Sequence, residues 1–362
     1  MDFGLSPDQV LFKDSLRRFL DAECPTTRVR AIMESGDGHD RRLWSALAEM
    51  GVPGLLVPEA HGGAGLELLD LALAAEELGR AATPGPFLAT ALGTVALLES
   101  GDAAAQARWL PGIAAGRHVL AFALGEQIGE WDAARLETRV EGGHVHGEKP
   151  VVAAAGVADA LVVAAIDADG PGLFVVERDA PGLTITSLSG LDMTRRVDRV
   201  LLADTPATKI ATGRAAIDRT RDAGLVLLAA DAYGGARRCL DMTVDYALTR
   251  EQFGQVIGAF QGVKHQLADL ATDLEPALSL VWYAAHAFDH IRDRAERHAA
   301  LAKALLTDLF DRAVRTAIEL HGGIGFTWEF DLHLWFRRAM FDRAHLGEAR
   351  YHRLRAADLA GW

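Results

Sequence analysis

The stretch Tyr246–Asp269, which reads YALTREQFGQVIGAFQGVKHQLAD, constrains the fold of this chain most strongly. Apolar residues recur at helical spacing up to Leu248, glycines then interrupt the pattern, and a second apolar stripe begins near Gln261. The sequence therefore predicts two helices that are joined by a glycine turn. Arg250 and Phe253 are expected at the end of the first helix, beside that turn.

The residue types around this turn suit an anionic nucleotide. A guanidinium such as that of Arg250 can make paired hydrogen bonds to a phosphate, and the ring of Phe253 can lie against a planar heterocycle. Gly254 lets the backbone approach a ligand closely, and Lys264 and His265 add positive or switchable charge. A nucleotide site is one interpretation of the stretch, and a helix corner that carries surface charges is the other.

The composition limits the class of protein. The chain has 362 residues, 50% of them hydrophobic, and a net charge of −13, which argues against nucleic acid or an anionic membrane surface as the main partner. No run of about 18 apolar residues occurs, so we expect no transmembrane helix. No cluster of metal ligands is expected either. Cys24 and Cys239 lie far apart in the sequence, which favours a reducing, cytoplasmic compartment over a disulfide framework.

Three segments of the chain differ in pattern. Residues 1–118 are helical in pattern and begin with Ser6-Pro7, an N-cap residue followed by proline at the first helical position. Residues 119–206 contain short apolar runs and a Gly-Gly turn at 142–143, which predicts an antiparallel sheet. Residues 207–362 are helical again. The predicted fold class is therefore mainly α, with a small β-domain in the middle.

Two motifs resemble those of a known family. The first is Arg250-x-x-Phe253-Gly followed by FQGVKH, and the second is the glycine motif HGGIGF at 321–326. Together they closely resemble the acyl-CoA dehydrogenase family of flavoproteins, and the resemblance extends over nearly the whole chain. It implies an N-terminal helical domain, a barrel-like β-domain and a C-terminal four-helix bundle. It also implies FAD as cofactor, an acyl-CoA substrate, a flavoprotein as electron acceptor, and assembly into dimers of dimers.

The resemblance further implies which residues contact FAD. In the family, these motifs reach across a subunit interface to the pyrophosphate and adenine of a neighbouring subunit's cofactor. The matching residues are Arg250, Phe253, Ile257, Gln261, Gly322 and Gly323. Glu319, in the same set, stands where the family usually has glutamine. A carboxylate there would repel the pyrophosphate by roughly 1 kcal/mol at ~4 Å even in water, so it either points away or weakens binding.

The contacts that the family makes to the flavin ring are replaced in this sequence. The family has a T-E-P-x-A-G-S-D stretch where residues 122–132 read FALGEQIGEWD, so the threonine, proline and serine are missing. Val151 and Ala153 stand where the family has tryptophan and threonine. Hydroxyl groups that would bond to the ring are therefore absent, which favours a β-domain that only packs against its neighbours.

The family's catalytic base is missing from both of its usual positions. Counting from the glycine motif places Leu346 where most members have glutamate, and counting back from Arg250 places Gly224 where other members have it. Removal of a proton beside a thioester carbonyl needs a carboxylate aimed at that carbon. Glu348 is the first substitute candidate and Asp222 is the second. For both of them, a solvated surface carboxylate is the alternative.

The C-terminal part of the chain also resembles the compact acyl-CoA dehydrogenase subunits of actinobacterial steroid and cholesterol side-chain breakdown. Those subunits form heterotetramers in which only one of two chain types carries the base. Three hypotheses follow: a base-free subunit that contributes FAD contacts to a catalytic sister chain, a self-sufficient homo-oligomer with Glu348 as base, or a flavin-free relative that binds or scaffolds. The missing ring contacts and the retained Arg250 and Phe253 favour the first.

Overall fold

The N-terminal part of the chain is helical in the computed structural model, which describes residues 4–36, 38–127 and 129–362. Ser6 caps the first helix as predicted. Its hydroxyl accepts a hydrogen bond from the Gln9 backbone N–H at 3.2 Å, and the Gln9 side chain accepts one from the Ser6 N–H at 3.0 Å. The helices are α1 (Pro7–Glu23), α2 (Thr26–Glu34), α3 (Arg41–Glu49), α4 (Leu68–Arg80), α5 (Phe87–Ser100) and α6 (Ala103–Ala114).

An eight-stranded sheet follows, with the order β6-β7-β3-β2-β4-β5-β8 and with β1 beside β4. Its strands are β1 (Leu120–Ala123), β2 (Arg139–Glu141), β3 (His144–Ala153), β4 (Ala160–Asp167), β5 (Gly170–Glu177), β6 (Leu183–Ser187), β7 (Val197–Pro206) and β8 (Thr208–Thr212). The pairs β1–β4 and β2–β4 are parallel and the others are antiparallel. The predicted Gly-Gly turn joins β2 to β3, where Gly142 and Gly143 have φ of 57° and 83°.

The C-terminal part is a bundle of long helices. They are α7 (Ala215–Thr249), α8 (Gln261–His290), α9 (Arg292–His321), α10 (Leu332–Ala344) and α11 (Ala349–Asp358). The predicted turn between α7 and α8 contains a short hairpin of β9 (Glu251–Gln252) and β10 (Gln255–Val256). The predicted fold class, mainly α with a β-domain in the middle, is therefore confirmed.

Helix α7 packs so closely on two neighbours that it needs glycine at successive positions. A Cβ at Gly234 would lie 1.9 Å from the carbonyl oxygen of Glu76 in α4, so the two backbones are in direct contact. A Cβ at Gly235 would lie 2.3 Å from the Phe310 ring of α9. This glycine pair therefore fixes the spacing between the N-terminal helices and the C-terminal bundle.

Helix α9 is buried over most of its circumference. The sequence has two adjacent apolar rows on this helix, and Leu306, Phe310 and Val314 of one row are fully buried. In the other row Leu309 is only 7% exposed, whereas Leu305 is 40% exposed. The helix thus packs against α7, α8, α10 and α11 and leaves some apolar surface on its outer side.

A buried guanidinium joins all three parts of the chain. Arg338 of α10 is fully buried and donates to Asp192 Oδ2 at 3.0 Å, to Asp231 Oδ2 at 3.1 Å and to the Thr83 carbonyl oxygen at 2.9 Å. Asp192 precedes β7, Asp231 lies on α7, and Thr83 lies between α4 and α5. The helical N-terminal part, the sheet and the C-terminal bundle are therefore tied to one side chain.

The charges of this network balance. Arg195 also pairs with Asp231, and although burial opposes the effect, Arg195 and Arg338 lower the pKa of Asp231. Burial, reinforced by the charge of Asp231, raises the pKa of the neighbouring Asp342 well above its usual range, which favours the neutral form of this carboxyl. The guanidiniums of Arg195 and Arg338 therefore face the carboxylates of Asp192 and Asp231, and little net charge is buried.

The cysteines are both buried free thiols. Burial raises the pKa of the Cys24 thiol to about 11, and it raises that of Cys239 further. Thiols with such pKa values are poor nucleophiles at neutral pH, so both cysteines act as small apolar side chains. Among the described helices, none is both long enough and apolar enough to span a membrane.

Replacing Arg338 with methionine should lower the free energy of unfolding by about 3–5 kcal/mol, because Asp192 would stay buried without its charged partner and Asp231 would keep only Arg195. Urea unfolding at pH 7 measures this loss. The control is Arg237→Met, which removes a half-exposed partner of Asp241 on α7 and should cost less than about 1 kcal/mol. Equal effects of the two substitutions would contradict the role given to Arg338.

Candidate functional site

The residues predicted to bind a nucleotide lie where two helices end side by side. Tyr246, in the last turn of α7, stacks on His321 at the end of α9 with ring centroids 4.2 Å apart. Its hydroxyl lies 3.5 Å from the His321 carbonyl oxygen. Arg250 follows Tyr246 by one turn, and His321 is the first residue of the glycine motif, directly before Gly322. The stacked pair therefore brings the two sequence motifs to one end of the bundle.

The hairpin after α7 presents the first motif to solvent. Phe253 sits at its tip with φ of 54° and a side chain that is 93% exposed. The Ile257 N–H donates to the Arg250 carbonyl oxygen at 2.8 Å, and the Phe260 ring packs edge-on against Phe253 with centroids 6.2 Å apart. Arg250 and Gln261 are also exposed, while Ile257 is half-buried. These four predicted residues form one corner of the surface, which we call the nucleotide corner.

The glycine motif is equally open. Gly322 and Gly323 are exposed, and a Cβ on either one would meet no atom within 4 Å. Glu319, one turn earlier, is exposed as well, and Phe326 is 85% exposed. Phe253 and Phe326 are thus two large apolar side chains that face solvent at this end of the bundle. The nucleotide corner and the glycine motif are therefore accessible to a ligand or to a second chain.

A separate cleft of about 680 Å³ lies between the sheet and the last two helices. Its volume is within the range of small-molecule sites. Most of the cleft surface is apolar. Asp192 and Arg195, which belong to the ion-pair network of Arg338, are two of the polar residues that line it. The apolar side chains include those of Trp131, Pro150, Val151, Val197, Met340, Phe341 and Leu354, and the other polar side chains include those of Gln127, Glu348, Arg350 and Tyr351.

Two ring nitrogens in the cleft wall have no hydrogen-bond partner within the described part of the chain: Trp131 Nε1 and His345 Nδ1. The two rings meet edge to face with centroids 5.1 Å apart, and both side chains are almost fully buried. Burial, and then the charge of Lys303, lowers the pKa of His345 to about 3, so the imidazole is neutral at physiological pH. The cleft wall at these two rings therefore carries no imidazolium charge at physiological pH, and both unpaired ring nitrogens are buried.

The two positions at which the base was sought adjoin each other in space. Leu346 is 1% exposed, and a Cβ at Gly224 would lie 2.5 Å from its Cδ1 and 3.2 Å from Leu92 Cδ2. Leu346 thus fills the space that any side chain at position 224 would need. Apolar atoms therefore occupy both positions that the family resemblance assigns to a base.

The two substitute candidates differ in their surroundings. Glu348 is exposed, precedes α11 and lines the cleft. Asp222 is buried away from the cleft, accepts a hydrogen bond from Arg355 Nη2 at 2.9 Å and lies 3.3 Å from Arg221 Nη2. Burial raises the pKa of Asp222, while the two arginines oppose that effect. Asp222 is therefore part of an ion-pair cluster, and only Glu348 lies where a ligand in the cleft could meet it.

Two protein families match the sequence of this chain. The family "Acyl-CoA dehydrogenase, N-terminal domain" matches residues 6–117, and the family "Acyl-CoA dehydrogenase, C-terminal domain" matches residues 211–360. Acyl-CoA dehydrogenase IpdE2 of Mycobacterium tuberculosis is 33% identical over 356 residues, which cover 98% of each chain. The chain belongs to the acyl-CoA dehydrogenase family. It is an acyl-CoA dehydrogenase family oxidoreductase, as its sequence predicts.

Solved structures of acyl-CoA dehydrogenases resemble this chain over its full length. A variant of the steroid ACAD Tcur3481–Tcur3483 has a TM-score of 0.89 at 33% identity, with 98% of each chain covered. The ChsE4–ChsE5 complex from Mycobacterium tuberculosis has a TM-score of 0.91 at 26% identity, with 100% of this chain and 99% of that chain covered. The resemblance to steroid-degrading members of the family is thereby confirmed.

FAD is the cofactor of this flavin-dependent family. The nucleotide corner of this acyl-CoA dehydrogenase suits FAD better than the cleft does. The nucleotide corner offers a guanidinium, an aromatic ring and open glycine backbone, which are groups that suit a pyrophosphate and an adenine. The described residues that line the cleft include no serine or threonine. Among them, Tyr351 is the residue that carries a hydroxyl group. Ile128, in the stretch that should contact the flavin ring, lies outside the described residues. The described cleft thus does not fit the ring in the family's usual manner.

Sequence analysis missed several residues that shape the site. Trp131 and His345 lie in stretches that were compared with family motifs, but neither matches a motif. Two fully buried lysines were also missed: Lys303 on α9 and Lys149 on β3, whose Nζ donates to the Leu124 carbonyl oxygen at 3.0 Å. A lysine inside an apolar helical stretch, ALAKALL, is the signal that could have revealed Lys303.

Replacing His345 with phenylalanine should remove part of the acid sensitivity of this fold. Because the folded-state pKa of His345 is about 3 against 6.5 for the free group, the unfolded chain binds one more proton between these values. Wild-type stability should therefore fall relative to the variant by about 1.4 kcal/mol per pH unit below pH ~6. Urea unfolding at several pH values between 7.5 and 4.5 measures the difference.

The matched control is Phe341→Leu, which disturbs the ring stacked on His345 without removing a titrating group. It should change the free energy of unfolding by a similar amount at every pH. A constant difference between wild type and His345→Phe over the same range would show that the pKa of His345 is not lowered in the folded protein.

Proposed function

We propose that this chain is one subunit of a heteromeric, FAD-dependent acyl-CoA dehydrogenase that introduces an α,β double bond into an acyl-CoA thioester. In this proposal a sister chain supplies the catalytic base and holds the flavin ring. The nucleotide corner of this chain, with Arg250 and Phe253, contacts the pyrophosphate and adenine of that FAD. The names of the steroid-related relatives support a bulky, steroid-like acyl group as substrate, and an electron-accepting flavoprotein as partner is part of the same proposal.

The contact between Gly224 and Leu346 is the observation that carries the proposal. FAD held by Arg250 and Phe253 with a sister chain would supply the hydride acceptor for the β-carbon, and a carboxylate would be needed to remove the α-proton in a dry site. In this chain the buried Leu346 side chain lies against Gly224 instead. A buried carboxylate cannot be added there without displacing Leu346 or Leu92. The geometry therefore favours a base on another chain.

The open nucleotide corner supports the second half of the proposal. A phenylalanine that is 93% exposed at the tip of a hairpin buries little apolar surface in the isolated chain. It can stack on a heterocycle that another chain presents, and Arg250 beside it can pair with a phosphate. Gly322 and Gly323 leave room for that phosphate to approach the backbone.

A second candidate function rests on Glu348, which lines the cleft and is exposed. In a self-sufficient homo-oligomer, Glu348 would act as the base, and the substrate would have to lie two residues away from the usual position of the base. The absence of serine and threonine among the described residues of the cleft disfavours this candidate, because a lone chain would also have to hold the flavin ring.

The chain purified alone should be colourless and inactive with acyl-CoA. Co-expressed and purified with a sister chain that carries the family's glutamate base, it should show flavin absorbance and reduce an electron acceptor when acyl-CoA is added. Glu348→Gln in this chain should leave the activity of the complex unchanged. Under the homo-oligomer alternative, the same substitution should lower the rate by about 10²–10⁴-fold.

The outcomes separate the candidates. Yellow, active protein from the lone chain would rule out the need for a sister chain, and a Glu348→Gln variant of it would then test the base directly. Colourless protein in both preparations would instead favour a flavin-free scaffold. Analytical ultracentrifugation of the same samples tells whether the two chains associate at all, so failed assembly is not mistaken for failed chemistry.

Two substitutions should shift the FAD affinity of the complex in opposite directions. Arg250→Ala should weaken binding about tenfold or more, since it removes a charged donor to a phosphate. Glu319→Gln should strengthen it by up to about fivefold, because a repulsion of roughly 1 kcal/mol at ~4 Å is removed. Titration of the flavin-free complex with FAD measures both, and Arg237→Ala on the exposed side of α7 is the control. Unchanged affinity in Arg250→Ala would contradict the proposed contact.

A further inference from the structure

We propose that Lys303 and His352 are positioning residues, which pin two successive carbonyl oxygens of the loop between α10 and α11 and thereby fix one wall of the cleft. The loop comprises residues 345–348, and three of its members, His345, Gly347 and Glu348, line the cleft. The proposal concerns the shape of the cleft in this chain. It goes beyond the proposed function and does not depend on a sister chain.

Lys303 is placed to hold the loop from the α9 side. Its side chain is fully buried, and its Nζ donates to the Gly347 carbonyl oxygen at 2.7 Å and to the Arg343 carbonyl oxygen at 3.2 Å. Arg343 lies in the last turn of α10, so the ammonium also satisfies a carbonyl at the negative end of that helix. One cation thus joins the end of α10 to the loop that follows it.

The buried ammonium of Lys303 is stabilised by the carbonyl oxygens of Arg343 and Gly347. Within the described residues, no carboxylate lies close enough to Lys303 to form an ion pair with it. Burial lowers the pKa of Lys303 to about 7, although Asp342, Asp308 and Glu348 act in the opposite direction from a greater distance. A buried amine without a paired charge is retained at a cost in solvation, and its hydrogen bonds to the loop are what offset that cost.

His352 holds the preceding carbonyl from the α11 side. Its ring is fully buried, and its Nε2 lies 2.8 Å from the Leu346 carbonyl oxygen. Because a carbonyl oxygen only accepts, Nε2 must carry the proton and donate it. Burial, and then the charge of Lys303, lowers the pKa of His352 to about 3, so the ring stays neutral at physiological pH. Lys303 and His352 therefore bind adjacent peptide groups from two different helices.

The backbone between these two groups is unusual enough to need such support. Leu346 has φ of 59°, a left-handed conformation that leucine rarely adopts, and Gly347 has φ of 107°. A Cβ at Gly347 would lie 2.8 Å from His352 Nε2, so only glycine fits against the imidazole. Without the two donors, nothing in these dihedral angles would favour the observed loop conformation.

The arrangement has a direct consequence for the cleft. Neither Lys303 nor His352 lines the cleft, so both carbonyl oxygens are engaged on its protein side. A ligand in the cleft meets the His345 ring and the Gly347 backbone but not these two acceptors. The same conformation seats the Leu346 side chain against Gly224. Release of the loop would therefore alter both the lining of the cleft and the apolar contact behind it.

Hydrogen–deuterium exchange of the full-length chain tests the proposal at the loop itself. The His345 and Gly347 N–H groups donate to the carbonyl oxygens of Phe341 and Ala344, so they report on local opening. Lys303→Met and His352→Leu should each speed exchange in peptides that cover residues 344–349 by about ten- to a hundredfold, given the strength of hydrogen bonds to charged or buried donors. Peptides from α4 should exchange as in the wild type.

Two further variants separate positioning from packing. His352→Gln keeps an N–H donor in place of Nε2 and should restore slow exchange, whereas His352→Leu should not. Thr307→Val, one turn along α9 from Lys303, removes a buried hydroxyl that only bonds to its own helix and should leave the loop unchanged. If Lys303→Met does not fold, the leucine and glutamine variants of His352 still decide the question.

A second readout follows the cleft rather than the loop. Trp131 contacts His345, so its emission, taken as the difference between each protein and the same protein with Trp131→Phe, should shift to longer wavelength in Lys303→Met and His352→Leu but not in Thr307→Val. Unchanged loop exchange and unchanged Trp131 emission in both variants, with only a general loss of stability, would overturn the proposal and leave Lys303 and His352 as packing residues.

Discussion

The ion pairs of Arg338 are the interaction on which the rest of this structure depends. Its guanidinium meets Asp192 before β7, Asp231 on α7 and the backbone between α4 and α5. Each partner comes from a different part of the chain, so a shift of any part would take a hydrogen-bond partner from the buried guanidinium, and separation from Asp192 would cost several kcal/mol. Asp192 and its neighbour Arg195 also line the cleft. The network that fixes the domain arrangement therefore also fixes the position of the candidate site.

The contact between Leu346 and Gly224 occupies both positions at which the family resemblance places a base. A carboxylate in that place would be buried, and burial without a partner raises its pKa and disfavours the folded state. Leu346 against Gly224 carries no such penalty, because both contribute only apolar atoms. A subunit that leaves proton removal to another chain is free to pack this position for stability. The helix that carries Arg338 ends at the loop of Leu346, so the same element supports both features.

The sequence predicted the elements well because their patterns are local. Ser6-Pro7, the glycine pair at 142–143 and the apolar rows of α9 each act within a few residues, and the family motifs located positions 224 and 346. The network of Arg338 could not be predicted, since RRAMFDRA resembles a solvated helix and its partners are 107 and 146 residues away. The contact of Leu346 with Gly224 and the donors that hold the loop are equally non-local. Sequence patterns do not show which residues that lie far apart in the chain come into contact at the site.

The exposure of the nucleotide corner and the apolar contact between Leu346 and Gly224 are consistent with one explanation. Phe253 is held at a positive φ, which costs roughly 1 kcal/mol for a residue other than glycine, and it remains 93% exposed. A flavin-free scaffold would have no use for that strain, and a self-sufficient enzyme would need a base and ring contacts that the described cleft does not offer. Strain and exposure at the corner are useful only when another molecule covers it. The combination therefore favours a division of labour, in which this chain binds the nucleotide end of a cofactor that acts elsewhere.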